Sequence, residues 1–316
     1  MSDTHENFLI IGPAWVGDMV MAQSLFKLLD QEYPDCRITV MAPDWTRPLL
    51  ERMPEVDDTL PAPLGHGELQ LGRRRQLGRA LRAEAFTTAI ILPNSFKSAL
   101  IPFHAGIPRR IGWRGEWRNL LLSDCRRLDK KAFPQMVQRF AALALPPSPT
   151  PPRAIPPPAL AVDADNARAS LARFDLGEAA PVLAICPGAE YGESKQWPPM
   201  HYAELSNHYL AQGWQVWIFG STNDQLAAES VLADIENEFL PRIHNLAGRT
   251  ALGEAIDLLD RAAVVASNDS GLMHIAAALG KPVVALYGST SPDFTPPLAE
   301  RVKLLHTDIE CRPCFK

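Results

Sequence analysis

Eight of the sixteen residues in LPPSPTPPRAIPPPAL, positions 145–160, are proline. A proline fixes its own φ and has no backbone N–H to give, so helices and central strands stop at such a run. The stretch reads as a stiff, extended linker. It marks a domain boundary in a chain of 316 residues, a length that itself suits two domains. We place the domains at 1–150 and 161–316, joined by residues 151–160.

Both sides of the linker repeat one pattern. On the first side FLIIG at 8–12, RITVMA at 37–42, TTAIILP at 87–93 and RRIGW at 109–113 read as strands. Helical patterns occupy 19–31 and begin again at Thr46 and near Ser95. On the second side PVLAICPG, WQVWIFG, RIHNLAG, AAVVASND and KPVVALYG read as strands, with helices at 199–212, 222–236, 251–261 and from Gly271. Strand alternating with helix implies a parallel sheet covered on both faces. The fold class is α/β, with two doubly wound Rossmann-like domains. Ligands in such sheets bind beyond the carboxyl ends of the strands, which predicts a site in a cleft between the domains.

The net charge of -5 argues against a general nucleic-acid binder. Two runs depart from that balance: GRRRQLGRALR at 72–82, and Arg109 to Lys131, which holds Arg110, Arg114 and Arg118. Each is either a solvated face or a local anion-binding surface. The five cysteines are an odd, scattered set, which fits a reducing compartment. CRPC at 311–314 has metal-knuckle spacing but no second ligand pair, so no metal site is expected. The N-terminus lacks the features of a signal peptide, and no apolar run is long enough to span a bilayer. The location expected is cytoplasmic, with surface contact to a membrane left open. The chain stops soon after its last expected strand, which suggests a further C-terminal segment.

Four loops stand where a strand hands over to a helix. GPAWVGD at 12–18 lacks the third glycine of a dinucleotide fingerprint, which disfavours a Rossmann oxidoreductase. Its Asp18 has two readings: a helix cap, or a carboxylate kept ionised by the helix dipole and able to take a hydroxyl proton. PGAEYGESKQWP at 187–198 offers Gly188, Ser194 and Lys195 as a phosphate cradle, or simply a surface loop with a solvated lysine. SNDSGLMH at 267–274 leads Ser270 and Gly271 into a helix whose first N–H groups suit a pyrophosphate. His274 is then either structural or part of that anion site, and Asp269 is better used on a hydroxyl or N–H than on phosphate. In FGSTNDQ, Asp224 either takes a ribose diol or is an ordinary first-turn acid. DAD at 163–165 we read as capping. Asn94, Ser95 and Lys97, in NSFKSAL, lie at the end of a first-domain strand and face the expected cleft.

Taken together these segments resemble the ADP-heptose:lipopolysaccharide heptosyltransferases, glycosyltransferase family 9. The likeness runs from about residue 8 to CRPC, and WVGDMVMAQ is similar to the family's second inner-core enzyme rather than the first. The resemblance implies a GT-B fold. It implies an inverting transfer of heptose from ADP-heptose to the first heptose of a Kdo2-lipid A inner core, with no metal or other cofactor. It makes Asp18 the catalytic base, and places Lys195, with Gly188 and Ser194, on the donor phosphates. Asp269, Ser270, Gly271 and His274 fall at the donor diphosphate and sugar, Asp224 at the ribose, and Thr250 to Leu252 near the adenine. Where the first enzyme has paired threonines before its lysine, this chain has Glu190 and Tyr191. Gly17, Asn94, Ser95, Lys97, Arg110 and Arg114 are the expected acceptor contacts. The acceptor's Kdo carboxylates and lipid A phosphates would give Arg109–Arg118, and Arg73–Arg75, a purpose at the inner membrane's cytoplasmic face. Two other readings stand beside this one: a GT-B enzyme of a UDP-sugar, transferase or epimerase, and a non-catalytic nucleotide-sugar or glycan binding module. Binding alone does not need an acid in the first loop.

Overall fold

The apolar runs form the centres of two six-stranded sheets. A computed structural model describes residues 5–63, 67–189, 193–307, 310, 313 and 314. Glu190, Tyr191, Gly192 and Cys311 lie outside these. Contacts divide the chain into two units, Met1–Pro158 and Ala159–Lys316.

The first unit runs β1 (Asn7–Ile11), α1 (Val16–Glu32), β2 (Arg37–Ala42), α2 (Arg47–Leu50), β3 (Asp58–Pro61), α3 (Leu71–Ala80), β4 (Thr88–Ile91), α4 (Leu100–Ala105), β5 (Arg109–Trp113), β6 (Asp124–Arg126) and α5 (Met136–Ala144). Its sheet order is β3-β2-β1-β4-β5-β6, with every pair parallel. The second unit runs α6 (Ala164–Arg173), β7 (Val182–Cys186), α7 (Pro199–Ala211), β8 (Gln215–Ile218), α8 (Gln225–Ala233), β9 (Ile243–Asn245), α9 (Leu252–Leu259), β10 (Val264–Asn268), α10 (Gly271–Ala278), β11 (Val283–Tyr287) and β12 (Val302–His306). Its order, β12-β11-β10-β7-β8-β9, is the same topology repeated. In each unit the chain leaves the first strand to one side and later returns to the other. The switch points lie between β1 and β4, and between β7 and β10, and such points are where open parallel sheets hold ligands.

The central strands are almost wholly buried. Leu9, Ala89 and Ile91 in the first unit, and Leu183, Ile185, Val216 and Ile218 in the second, are core residues. Three strands have no counterpart in the sequence reading: β3, β6 and β12. They are edge or near-edge pieces with exposed residues, so no apolar run announces them. The basic run at 72–82 is mostly the helix α3. The proline segment is not a free tether, because α1 holds it. Ser24 Oγ donates to the Pro156 carbonyl at 2.7 Å and Lys27 Nζ to that of Pro157 at 3.0 Å. Asp163 caps α6, accepting from the N–H groups of Asp165 and Asn166 at 3.0 Å each, which is the capping role expected of DAD.

Candidate active site

Asp18 is not the N-cap residue of its helix. The N-cap of α1 is Trp15, in extended conformation, and Asp18 is the third helical residue, with Gly17 before it. The helix starts one turn earlier than its apolar pattern suggests, and Met19 N–H already donates to Trp15 O at 2.9 Å. A carboxylate in this first turn lies where the dipole favours its charge. Gly12 gives the turn its tightness. A Cβ there would stand 2.8 Å from Met19 Cε and 3.2 Å from Val40 Cγ1.

Across the switch point from this turn lies the connection from β4, residues 93–99. Asn94 is exposed, with Ser95 and Lys97 half-buried beside it. Sequence reasoning treated Arg118 as part of a charged patch, and the structure overturns that. Its side chain is fully buried. Its guanidinium donates to the carbonyls of Pro93 and Trp113, to Ser98 Oγ at 3.1 Å and to Asn94 Oδ1 at 2.9 Å. A guanidinium needs five acceptors when dry, and backbone carbonyls are the ready supply. Arg110 is also removed from the acceptor set. It stands at the start of β5, at the opposite end of the sheet, and donates to the carbonyls of Leu121 and Ile107. Arg114, just past the end of β5, is exposed on the same side as Asn94. Arg74 and Arg126, in the two basic runs, are buried structural residues too.

In the second unit the loop after β7 meets the loop after β10. Lys195 Nζ lies 3.1 Å from Asp269 Oδ2, with both side chains largely shielded from solvent. The same carboxylate oxygen accepts from Thr290 Oγ1 at 2.7 Å. So Asp269 is a counter-ion that places the lysine, and Thr290, from the turn after β11, helps hold it. Gly288 permits the approach of that turn: a Cβ there would lie 2.4 Å from the Ser194 carbonyl oxygen. Ser194 Oγ is 3.2 Å from Ser289 Oγ. Ser270 is the N-cap residue of α10 but makes no side-chain cap, turning its hydroxyl to Ser267 Oγ at 3.2 Å. Gly271 opens the helix, and one turn on stands His274, buried. Burial holds its pKa well below the ordinary histidine value. Asp269 opposes that shift and Lys195 adds to it, so the ring is neutral at pH 7.

Asn268, to which the sequence reading gave no role, organises this centre. It has no exposure. Its Nδ2 donates to the carbonyls of Pro187 at 2.7 Å and Gly188 at 3.3 Å. Its Oδ1 accepts from Trp197 N–H and Tyr202 Oη, both at 3.0 Å. One amide thus clamps both ends of the 187–197 loop. Asp224 has the capping role, accepting through Oδ2 from Ser221 N–H at 2.7 Å and Ser221 Oγ at 2.8 Å. Its carboxyl packs on Gly188, where a Cβ would be 2.1 Å from Asp224 Cγ. Thr250 and Leu252 are half-buried at the start of α9, Thr250 Oγ1 reaching the Leu246 carbonyl at 3.5 Å. Lys195, Asp269, Ser270, Gly271 and His274 are therefore one constellation at the second switch point. Gly188 and Asp224 form its flank beyond β8.

Two parallel sheets of this order in one chain are the GT-B architecture. The second carries a lysine–carboxylate pair and a helix N-terminus at its switch point. A family model described as glycosyltransferase family 9 (heptosyltransferase) matches residues 74–316. The lipopolysaccharide heptosyltransferase 2 of Escherichia coli K12 is 49% identical over 302 residues, covering 94% of this chain and 87% of the relative. The lipooligosaccharide heptosyltransferase 2 of Haemophilus influenzae is 48% identical over 307 residues, with 95% and 88% covered. The solved structure of E. coli ADP-heptose LPS heptosyltransferase II superposes with a TM-score of 0.90 at 44% identity, covering 98% of this chain and 96% of that one. The chain belongs to glycosyltransferase family 9, the heptosyltransferases.

Proposed function

We propose that this enzyme transfers L-glycero-D-manno-heptose from ADP-heptose to the first heptose of a Kdo2-lipid A inner core, inverting the anomeric centre. The observation that carries this reading is near-half identity to heptosyltransferases 2 over almost the whole chain, together with the Lys195–Asp269 pair beside a helix N-terminus at the second switch point. Asp18 takes the proton of the acceptor hydroxyl as its oxygen bonds to the anomeric carbon. The bond from that carbon to the diphosphate breaks on the opposite face, and ADP leaves. Lys195 and the N–H groups opening α10 at Ser270 and Gly271 stabilise the charge that grows on the diphosphate. Asp269 holds Lys195 in the meantime and can pass it to the donor. Asp224 and Thr250–Leu252 would take ribose and adenine. Asn94, Ser95, Lys97 and Arg114 would meet the acceptor.

The enzyme would work at the cytoplasmic face of the inner membrane, where that acceptor lies. Among the described residues no helix is long and apolar enough to cross a membrane, so such contact would be made by a surface. The test is turnover of ADP-heptose with heptosylated Kdo2-lipid A. Asp18→Asn should leave donor binding nearly intact and lower turnover by roughly 10²–10⁴. Full turnover in that variant would remove Asp18 from the role of base.

A further inference from the structure

The sequence reading ends its last expected strand at Gly288 and gives the next residues, STSPD, no role. The structure brings this turn onto the lysine of the second switch point. β10 and β11 are parallel neighbours, with Asn268 opposite Leu286. Asp269 N–H donates to the Leu286 carbonyl at 3.1 Å, so the residues just beyond the two strands stay in register. From there Thr290 reaches Asp269, and Ser289 reaches Ser194. Ser289 N–H donates to the Ser194 carbonyl at 3.2 Å, beside Lys195. Ser289 and Thr290 are both buried. The turn is itself held from behind. Tyr287 Oη donates to the Thr295 carbonyl at 2.8 Å, and Phe294 N–H to the Ser291 carbonyl at 3.1 Å.

Asp269 Oδ2 accepts from two donors, Lys195 Nζ at 3.1 Å and Thr290 Oγ1 at 2.7 Å. The two differ in freedom. One is an ammonium on a flexible stem, and the other is a short hydroxyl on a fixed turn. Asp269 is only 8% exposed. A carboxylate so shielded is costly to leave without a donor. Lys195 can therefore turn away cheaply only if something else stays on that oxygen. The Thr290 hydroxyl has no stem on which to follow the lysine, so it stays.

We infer that Thr290 is a positioning residue for the transfer: its hydroxyl holds the Asp269 carboxylate while Lys195 exchanges that carboxylate for the donor diphosphate. The inference rests on the proposed function in one respect, that Lys195 meets the diphosphate. Without the hydroxyl, Asp269 either keeps the lysine or loses its own placement. Both outcomes weaken the grip on the diphosphate and leave the rest of the nucleotide site alone.

Titration calorimetry with ADP, and with AMP, which lacks the second phosphate, tests this. Thr290→Val keeps the branched shape and removes the hydroxyl. Thr290→Ala removes it without any branch to accommodate, and Thr290→Ser keeps it. The wild-type protein should bind ADP more tightly than AMP. T290V and T290A should lose about tenfold in ADP affinity, the worth of one hydrogen bond to a charged group, with AMP affinity unchanged. In turnover their donor KM should rise and kcat fall, while the acceptor KM stays as in wild type. T290S should bind ADP to within about twofold of wild type, because the donor is restored. A merely structural hydroxyl would move both nucleotides together, so an equal loss of ADP and AMP affinity overturns the inference. So does wild-type ADP affinity in T290V and T290A, or a T290S as weak as they are. Those failures leave the diphosphate reading of Lys195 standing. A wild-type protein that binds ADP no tighter than AMP would overturn that reading, and this inference with it.

Discussion

Asn268 shows how much one buried side chain can decide. Its amide is fully used, by two carbonyls, one N–H and one phenol. Removing it leaves those partners buried and unmatched, at about 1–3 kcal/mol for each group not rescued by water. Asn268→Ala should lower the stability of the second unit by a few kcal/mol (~2–4) and raise the donor KM as the 187–197 loop loosens. A denaturation curve and a donor titration together check this, and an unchanged KM would show that the loop holds itself. His274 makes a prediction about pH. The unfolded chain protonates this ring near the ordinary value, whereas burial keeps the folded ring neutral to lower pH. The unfolded state therefore binds more protons, and stability is lost as pH falls below about 6.5. Between pH 7 and 5 the loss from this group should be about 1–2 kcal/mol. His274→Gln should remove that part of the slope in urea titrations at the two pH values.

At the scale of elements, the candidate site residues sit in turns that strands and glycines force together. Gly188 is the tightest case, lying against the Asp224 carboxyl. Gly188→Ala should cost about 1–3 kcal/mol of overpacking, appearing as a raised donor KM through displacement of Asp224. A donor KM equal to wild type would detach this turn from donor binding. The elements themselves were unequally legible. RITVMA coincides with β2, because a buried parallel strand needs an apolar or β-branched run, and RRIGW coincides with β5, of which only Ile111, Gly112 and Trp113 are buried. DTLP, DCR and VKLLH carry no such run, because one neighbour and partial exposure suffice for them. The loops at strand ends were legible as candidates for the same reason that the strands were. Glycine, serine and a charged residue between an apolar run and a helix stand out.

For the whole molecule, the adenine recognition proposed for the second unit has a simple consequence. ADP should raise the melting temperature, since a ligand at about 100 times its Kd adds ~2.7 kcal/mol to the folded state. UDP at the same concentration should not. An equal shift with both would favour an enzyme of another nucleotide sugar. By itself the sequence determined two α/β halves, the proline boundary, and the loops that hold Asp18, Lys195 and the Asp269–His274 stretch. These follow from local rules of periodicity and backbone freedom, each written within a few consecutive residues. Only the tertiary structure decided which charges are free to act. Arg114 is presented to solvent, while Arg118, Arg74 and Arg126 are consumed by the fold, and Arg110 is turned to the far end of its sheet. Asp269 was matched to Lys195 and Thr290 in the same way. The physical reason is that a buried charge must find partners wherever the strand order brings them. That order links residues 74 positions apart, as in Lys195 and Asp269, over distances that no local pattern records.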